Sequence, residues 1–525
     1  MTAGGVRRCR VVGNVCKLLH SYPGEMGRLF PPEQLSPLQP EIGMDPLGVV
    51  RRVHSISWEA FGHCEAGFGM EFVVVAVLLV LAMVGLTRPY LGLLALLIVM
   101  ELQPGELYPS LAPLHLERIV AFLLLLSFLL HGCKLRFPAP TRWFLAFYGA
   151  MILSVPLAFW RSNSVASCQS FLEVVVYVIF ATALLTTESR IRWFILTDVL
   201  LVDWMGGSAF WNYEHGIFRV HMDIERAVGI TSSAGDANSL GATLLFSLPL
   251  CLALLTPGNP RWMRAIALVS IALDLVTIVH TGSRSGALGV VFLVGLLLVR
   301  KPKNLIFLPV VIAISPLVWF VIPQQYKARY ETVDHLKTDD SYQNRLLSWQ
   351  GGVKMFESNP ITGIGAGNYT FANGAKYWPG EGRKHYLNAH SLYFKLLGEL
   401  GLIGIFTFGG YLICVFRLNQ KLAKQMRQRD VSNFLRQLPG LFTIILLQML
   451  FAGYAAHNLY RTMWFVVGAM AASISLLPAL QQQSVDAIES DPLGAIPELP
   501  AREGEWSPAL LPALRSPSSL LDRSL

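Results

Sequence analysis

Apolar runs recur along the chain from Met70 to about residue 478, and they constrain the fold more than any other feature. Only α-helices and closed β-barrels satisfy every backbone hydrogen bond inside a bilayer. These runs are too long and too uniformly apolar to be barrel strands. The pattern predicts an all-α polytopic membrane protein, a bundle of about 12–13 transmembrane helices. The predicted spans lie near 71–86, 89–101, 116–131, 143–160, 171–187, 191–210, 238–256, 264–281, 286–300, 304–322, 391–416, 437–456 and 460–478.

Composition agrees with this class and argues against others. Charged residues make up 14% of the chain and the mean hydropathy is +0.48, whereas a soluble domain carries about 25% charged residues. The net charge of +8 does not indicate a nucleic-acid partner, because lysine and arginine cluster in short loops between apolar runs. The seven cysteines show no metal-binding pairs, and no spacing of His, Asp and Glu suggests a metal site. The sequence therefore predicts metal-independent chemistry without a cofactor.

The basic loops set the orientation of the chain. The strongest cluster lies between 417 and 436, and cytoplasmic loops carry the excess of positive charge. This places the long polar loop 323–390 on the outer face of the membrane. Residues 1–69 contain no span and are expected to be a disordered cytoplasmic leader or an untranslated extension. Residues 479–525, rich in Pro, Leu and Ser, are expected to be a disordered cytoplasmic tail.

The polar loop contains its own structural signals. Asp340 or Ser341 can cap a helix that runs to about Glu357. Its apolar stripe predicts a helix lying flat on the membrane surface, which could also present Arg345 to a bound molecule. The stripe consists of Leu346, Trp349, Val353 and Phe356. The glycines at 363, 365 and 367 then permit a tight return of the chain.

Three arginines fall on the same outer side: Arg226, Arg284 and Arg345. Arginine at a membrane boundary either extends its charge to the interface or binds an anion, and its planar fork suits phosphate oxygens. For Arg284 the sequence favours anion binding, because Gly282 and Gly286 flank a turn that exposes backbone N–H groups beside the guanidinium.

His390 stands where the loop re-enters the membrane, in NAHSLYFKLLGELGLIG. A neutral imidazole can accept a proton from a hydroxyl group near neutral pH. The alternative is a structural role, since a histidine at a helix start also serves as a capping or interfacial group.

Together these residues resemble a known family. His390 and Ser391, followed by Gly401 and Gly404, are similar to the signature of O-antigen ligases and the related O-antigen polymerases. The order of the other motifs also resembles that superfamily. They are R-x-x-G at Arg226–Gly229 with Asn238 after it, SRSG around Arg284, R-x3-W at Arg345–Trp349 and NPITGIGAGNY. The phrase AHSLYFKLLGELG is similar to a branch of O-glycosylation ligases found beside exosortase systems.

The resemblance implies a transmembrane glycosyltransferase domain over 70–478, at the periplasmic face of a bacterial inner membrane. It implies a glycan donor linked to undecaprenyl pyrophosphate and an acceptor hydroxyl on lipid A–core, on another glycan or on a protein. His390 would activate the acceptor, and Arg226 and Arg284 would hold the pyrophosphate. Substrate contacts are expected from Arg345, Trp349, Asn238 and Ser391. A polymerase, a protein O-glycosylation ligase and, from another class, a transporter are the alternatives.

Overall fold

The computed structural model describes residues 67–221, 224–231, 234–300, 302–309, 340–380, 385–456 and 458–478, with residues 313, 324, 327 and 480. Most of three predicted segments lies outside the described residues: the leader 1–69, the span 304–322 and the tail 479–525. The first part of the polar loop, up to residue 339, is described only at residues 324 and 327.

Helices make up nearly all of the described chain. In order they are α1 Gly67–Thr87, α2 Pro89–Leu102, α3 Pro104–Leu107, α4 Leu116–Leu130, α5 Ala139–Ser154, α6 Arg161–Leu184, α7 Glu188–Glu214, α8 Ala237–Leu254, α9 Arg261–His280, α10 Arg284–Arg300, α11 Asp340–Ser358, α12 Tyr369–Ala372, α13 Leu392–Arg427, α14 Asn433–Gly453 and α15 Thr462–Ser475. Short 3-10 helices cover Pro109–Leu114 and Pro302–Phe307, and a π-helix covers Asn373–Tyr377. An antiparallel hairpin pairs β1 Arg219–His221 with β2 Ile224–Arg226.

The all-α polytopic class is confirmed. Within the described residues, eight helices are long and apolar enough to cross a membrane, and two shorter apolar helices cover Val75–Thr87 and Thr462–Ser475. Each predicted span except 304–322 falls on one of the observed helices. The number of crossings, about 12–13, stays a prediction.

Aromatic side chains fill the centre of the bundle. Phe144 and Phe147 of α5 pack with Phe171 of α6 and Phe465 of α15, at ring-centroid distances from 4.5 to 6.0 Å. Since lipid is as apolar as these rings, such helices associate through close packing rather than through the hydrophobic effect. The core therefore fixes the relative positions of α5, α6 and α15, which support the outer face.

Helix α11 confirms the predicted start and end. Its buried residues are Ser348, Gly351, Gly352 and Met355. They lie on a face other than that of the apolar stripe, where Val353 is 37% exposed, and contact of the stripe with the membrane surface stays a prediction. The glycines explain the close packing of the buried face: a Cβ on Gly352 would lie 2.6 Å from the Tyr369 hydroxyl. The helix thus approaches α12 and α13 closely along a stripe of small residues.

Helix α13 is broken at Gly401, and the polar loop fills the break. Gly401 has φ +56° and ψ −151°, outside helical geometry. Leu402 N donates to Pro360 O at 2.9 Å, and Ile403 N donates to Ile361 O at 3.1 Å. On the other side of the break, Ile364 N donates to Gly398 O at 2.9 Å. The loop therefore supplies the backbone partners that an unbroken helix would supply itself, as lipid requires.

The glycines of the NPITGIGAGNY segment make this docking possible. Gly363, Gly365 and Gly367 all have positive φ, from +67° to +96°, a region that other residues rarely adopt. The predicted tight return is confirmed.

Replacing Gly401 with alanine should destabilise the fold. A Cβ there would lie 2.6 Å from Pro360 O in a left-handed conformation, so we expect a loss of at least about 2 kcal/mol. Gly409 lies on the same helix, and a Cβ added there would have no heavy atom within 4 Å. Gly409→Ala is therefore the matched control and should be neutral or stabilising. Thermal unfolding in detergent, followed by size-exclusion chromatography, measures both. Equal melting temperatures for the two variants would contradict the docked break.

Candidate functional site

Helix α11 and the π-helix hold the backbone that leads into His390. Trp349 Nε1 donates to Ala389 O at 2.8 Å, and Ser348 Oγ donates to Asn388 O at 3.1 Å. Asn373 Nδ2 donates to Leu387 O at 3.1 Å. Consecutive carbonyls before the histidine are thus fixed by side chains from elements distant in sequence.

Trp349 itself is directed into the protein. Its ring stacks on Phe394 with centroids 5.1 Å apart and an interplanar angle of 11°, and it meets Tyr454 edge-on. The geometry gives Trp349 a positioning role toward His390. The predicted substrate contact stays a prediction.

His390 occupies a left-handed backbone conformation with φ +45°, which is uncommon for a residue other than glycine. Residues held in this region cost conformational energy, and they concentrate at functional sites. The turn directs the chain from the docked segment into α13, which begins at Leu392.

The surroundings of His390 keep its imidazole neutral. Burial, with the positive charges of Arg345 and Lys395, lowers the pKa of His390 to about 4, and the Asp236 carboxylate opposes this shift. The protonated, positively charged imidazole has a higher free energy where water is excluded and other positive charges are near. At neutral pH the ring therefore has an unprotonated nitrogen that can accept a proton.

Arg226 is buried, and its guanidinium is held in a polar network. Nε donates to Thr281 O at 2.7 Å, and Nη2 donates to Asn238 Oδ1 at 2.9 Å. The same Asn238 oxygen accepts from Ser283 Oγ at 2.8 Å. The predicted residues Arg226 and Asn238 thus lie in direct contact.

Arg284 begins helix α10, directly after Ser283 of that network. Ser283 Oγ and Ser285 Oγ lie 3.0 Å apart on either side of it in sequence, and Gly286 N donates to Ser283 Oγ. The SRSG turn is therefore connected to Arg226 through Asn238, whose side-chain oxygen accepts hydrogen bonds from both Ser283 and Arg226.

A cavity of about 400 Å³ is lined both by His390 and by Asn238, which belongs to the network around Arg226. His390 and Lys395 line it, and so do Asp236 and Asn238 at the start of α8. Asp236 caps that helix by accepting from the N–H groups of Asn238 and Ser239, both at 3.0 Å. Since Asn238 also binds Arg226, the predicted histidine and the predicted arginine network meet at one cavity.

Of the seven predicted residues, His390 and Asn238 line this cavity, whereas Arg226, Arg284, Arg345, Trp349 and Ser391 do not. Arg345 acts on His390 through its charge and does not line the cavity. Ser391 is fully buried at the start of α13, and its hydroxyl has no hydrogen-bond partner among the described residues. The structure gives no contact that would assign Ser391 to a substrate.

Sequence reasoning missed several residues of this site. Arg461, at the start of α15, donates to Thr243 Oγ1 at 2.6 Å and to Ser239 O at 3.1 Å, and it lines the cavity. Glu399, also missed, accepts from Gly367 N, Tyr369 N and the Tyr460 hydroxyl. A charged residue within or beside an apolar run was the available signal, because such residues are costly in membranes.

Comparison with known proteins supports the resemblance. Residues 267–409 match the family model described as O-antigen ligase. A comparison with curated proteins gives no match. The matched region includes Arg284, Arg345, Trp349, His390 and Ser391, while Arg226 and Asn238 lie before it. The resemblance to the O-antigen ligase superfamily is thereby confirmed. The chain is a multi-pass membrane protein with a domain typical of glycosyltransferase-like ligases and polymerases.

The neutral state of His390 can be tested by its reactivity. Diethyl pyrocarbonate modifies unprotonated imidazole, so His390 should stay reactive down to about pH 4, whereas an ordinary histidine loses reactivity near about pH 6.5. Arg345→Gln should move the midpoint upward because a nearby positive charge is removed. Arg345→Lys keeps the charge and is the matched control. Peptide-resolved mass spectrometry provides the measurement, and a wild-type midpoint near pH 6.5 would refute the electrostatic description.

Proposed function

We propose that this protein is a glycosyltransferase that moves a glycan from undecaprenyl pyrophosphate to an acceptor hydroxyl, with lipid A–core as the acceptor. The observation that carries the proposal is the cavity at which a neutral histidine and a buried arginine network meet. The proposed location is the periplasmic face of a bacterial inner membrane.

The orientation rests on the two ends of helix α13. His390 lies just before its first residue, Leu392, whereas its last turns contain the basic residues Arg417, Lys421, Lys424 and Arg427. Clustered lysine and arginine favour the cytoplasmic side. The His390 end of α13 is then on the periplasmic side, where a lipid-linked donor on the outer leaflet can reach it.

The chemistry follows from the arginine network that Asn238 connects to the wall of the cavity. Arg226 and Arg284 would bind the pyrophosphate of the donor, since guanidinium groups match phosphate oxygens in charge and geometry. The bond between the anomeric carbon and the phosphate oxygen breaks, and its electron pair leaves with undecaprenyl pyrophosphate. The arginines stabilise the charge that this leaving group gains.

His390 accepts the acceptor's proton as the new glycosidic bond forms. In the empty site, burial and the charges of Arg345 and Lys395 hold the imidazole neutral. A bound diphosphate would counter those positive charges and raise the pKa of His390, because an opposite charge nearby favours the protonated form. Donor binding would thereby make the histidine a stronger base at the step that needs one. The proposed reaction involves no metal ion and no nucleotide sugar.

Replacing His390 with alanine should abolish attachment of the surface glycan. General-base catalysis contributes about 10²–10⁴-fold, so we expect a loss of at least that order. His385→Ala is the matched control, because His385 is exposed and its ring packs beside Trp378. Gel analysis of surface glycan, with immunoblotting of the membrane fraction, measures both activity and protein level. Unchanged glycan in a His390→Ala strain with normal protein would remove the mechanism.

The acceptor can be identified by what accumulates in a deletion strain. If lipid A–core is the acceptor, completed glycan should remain on undecaprenyl pyrophosphate, and the ladder joined to lipid A should disappear. Mass spectrometry of the lipid carrier and of lipid A gives the readout. Accumulation of single repeat units on the carrier would instead indicate a polymerase, and a mass change in a protein would indicate protein glycosylation.

A further inference from the structure

Beside His390, the cavity is lined by polar residues that the proposed chemistry does not use. We infer that Asp198, Tyr177 and Asn458, with Glu101 nearby, form a subsite that binds the hydroxyl groups of a sugar ring. The inference rests on the proposed function, since the sugar would be the terminal residue of the acceptor. All four residues line the same cavity as His390.

Three polar atoms in this wall have no hydrogen-bond partner among the described residues. They are Asp198 Oδ2, Tyr177 Oη and Asn458 Oδ1. Asp198 is 5% exposed, and Tyr177 and Asn458 are each 1% exposed. Buried polar groups in folded proteins are almost always paired, so three unpaired atoms on residues that line one cavity indicate a missing partner.

The depth of these groups strengthens the inference. Asp198 lies ten residues after Glu188, the first residue of α7, and is therefore roughly 15 Å along that helix from its start. Glu101 lies near the end of α2. Carboxyl groups within transmembrane helices are costly, and they face water-filled cavities or substrate paths.

The chemistry of the wall selects the ligand. The carboxyl and amide oxygens accept hydrogen bonds, and the phenol can donate or accept, so the ligand must offer several donors. Arg461 and Lys395 line the cavity and disfavour a cation. Among the described residues, no cluster of His, Cys, Asp and Glu could hold a metal ion.

Size and shape also fit a sugar. The volume of about 400 Å³ falls within the range of roughly 300–1,000 Å³ that is typical of small-molecule sites. Val202, Phe246 and Val466 give the cavity apolar surface against which the C–H faces of a ring can pack.

Direct binding tests the subsite without requiring turnover. The full chain in lipid nanodiscs would be titrated with the methyl glycosides of glucose, galactose and mannose, observed by saturation-transfer difference NMR. We expect at least one of these glycosides to bind. Asp198→Leu should weaken binding by several-fold to about tenfold, the effect of losing one hydrogen bond.

Asp203→Asn is the matched control. Asp203 lies on the same helix, accepts from Ser270 Oγ and does not line the cavity, so this variant should bind like the wild type. If Asp198→Leu does not fold, Tyr177→Phe removes a single hydroxyl and should weaken binding several-fold. Absence of binding to folded wild type, or equal binding by the wild type and the cavity variants, would overturn the subsite.

His390→Ala separates this inference from the proposed function. That variant should lose glycan attachment but still bind the glycoside. Glycoside binding with normal attachment in His390→Ala would refute the proposed catalytic role alone. Loss of attachment in His390→Ala, with no glycoside binding by the wild type, would refute the subsite alone.

Discussion

The break in helix α13 at Gly401 is the constraint on which the outer face depends. Backbone groups inside a membrane protein must find partners, and here the segment after Pro360 provides them. That docking brings the polar loop into the bundle, where Glu399 binds backbone N–H groups of the loop and the Tyr460 hydroxyl. Because α11 packs on the same region, the backbone before His390 is held at a fixed position relative to the transmembrane helices.

The electrostatics of the cavity are balanced rather than uniformly positive. Burial and the charges of Arg345 and Lys395 lower the pKa of His390, and Asp236 opposes them. Asp236 also caps α8 and so positions Asn238, which binds Arg226. One carboxylate therefore links the local structure of a helix start to the charge state of the proposed base.

Particular residues show how far sequence reasoning reached. The apolar runs predicted the helices, and the left-handed glycines at 363, 365 and 367 were expected from their pattern. The sequence pattern did not indicate which face of α11 packs against the protein, where Ser348 and two glycines allow a close approach. The motif residues indicated that Arg226, Asn238 and His390 belong to a site, but their spacing could not show that Asn238 mediates between the arginine and the cavity.

The sequence by itself determined the class of fold and the resemblance to O-antigen ligases, because long apolar runs in lipid allow only helices and because the motifs occur in a characteristic order. The tertiary structure alone decided which polar groups share a cavity. Asp198, Tyr177 and Arg461 come from three helices far apart in the chain. A charge in or beside an apolar run marks Asp198 and Arg461 as unusual, but their local sequence does not show that they share a cavity, since the contact of one helix with another depends on packing across the whole bundle.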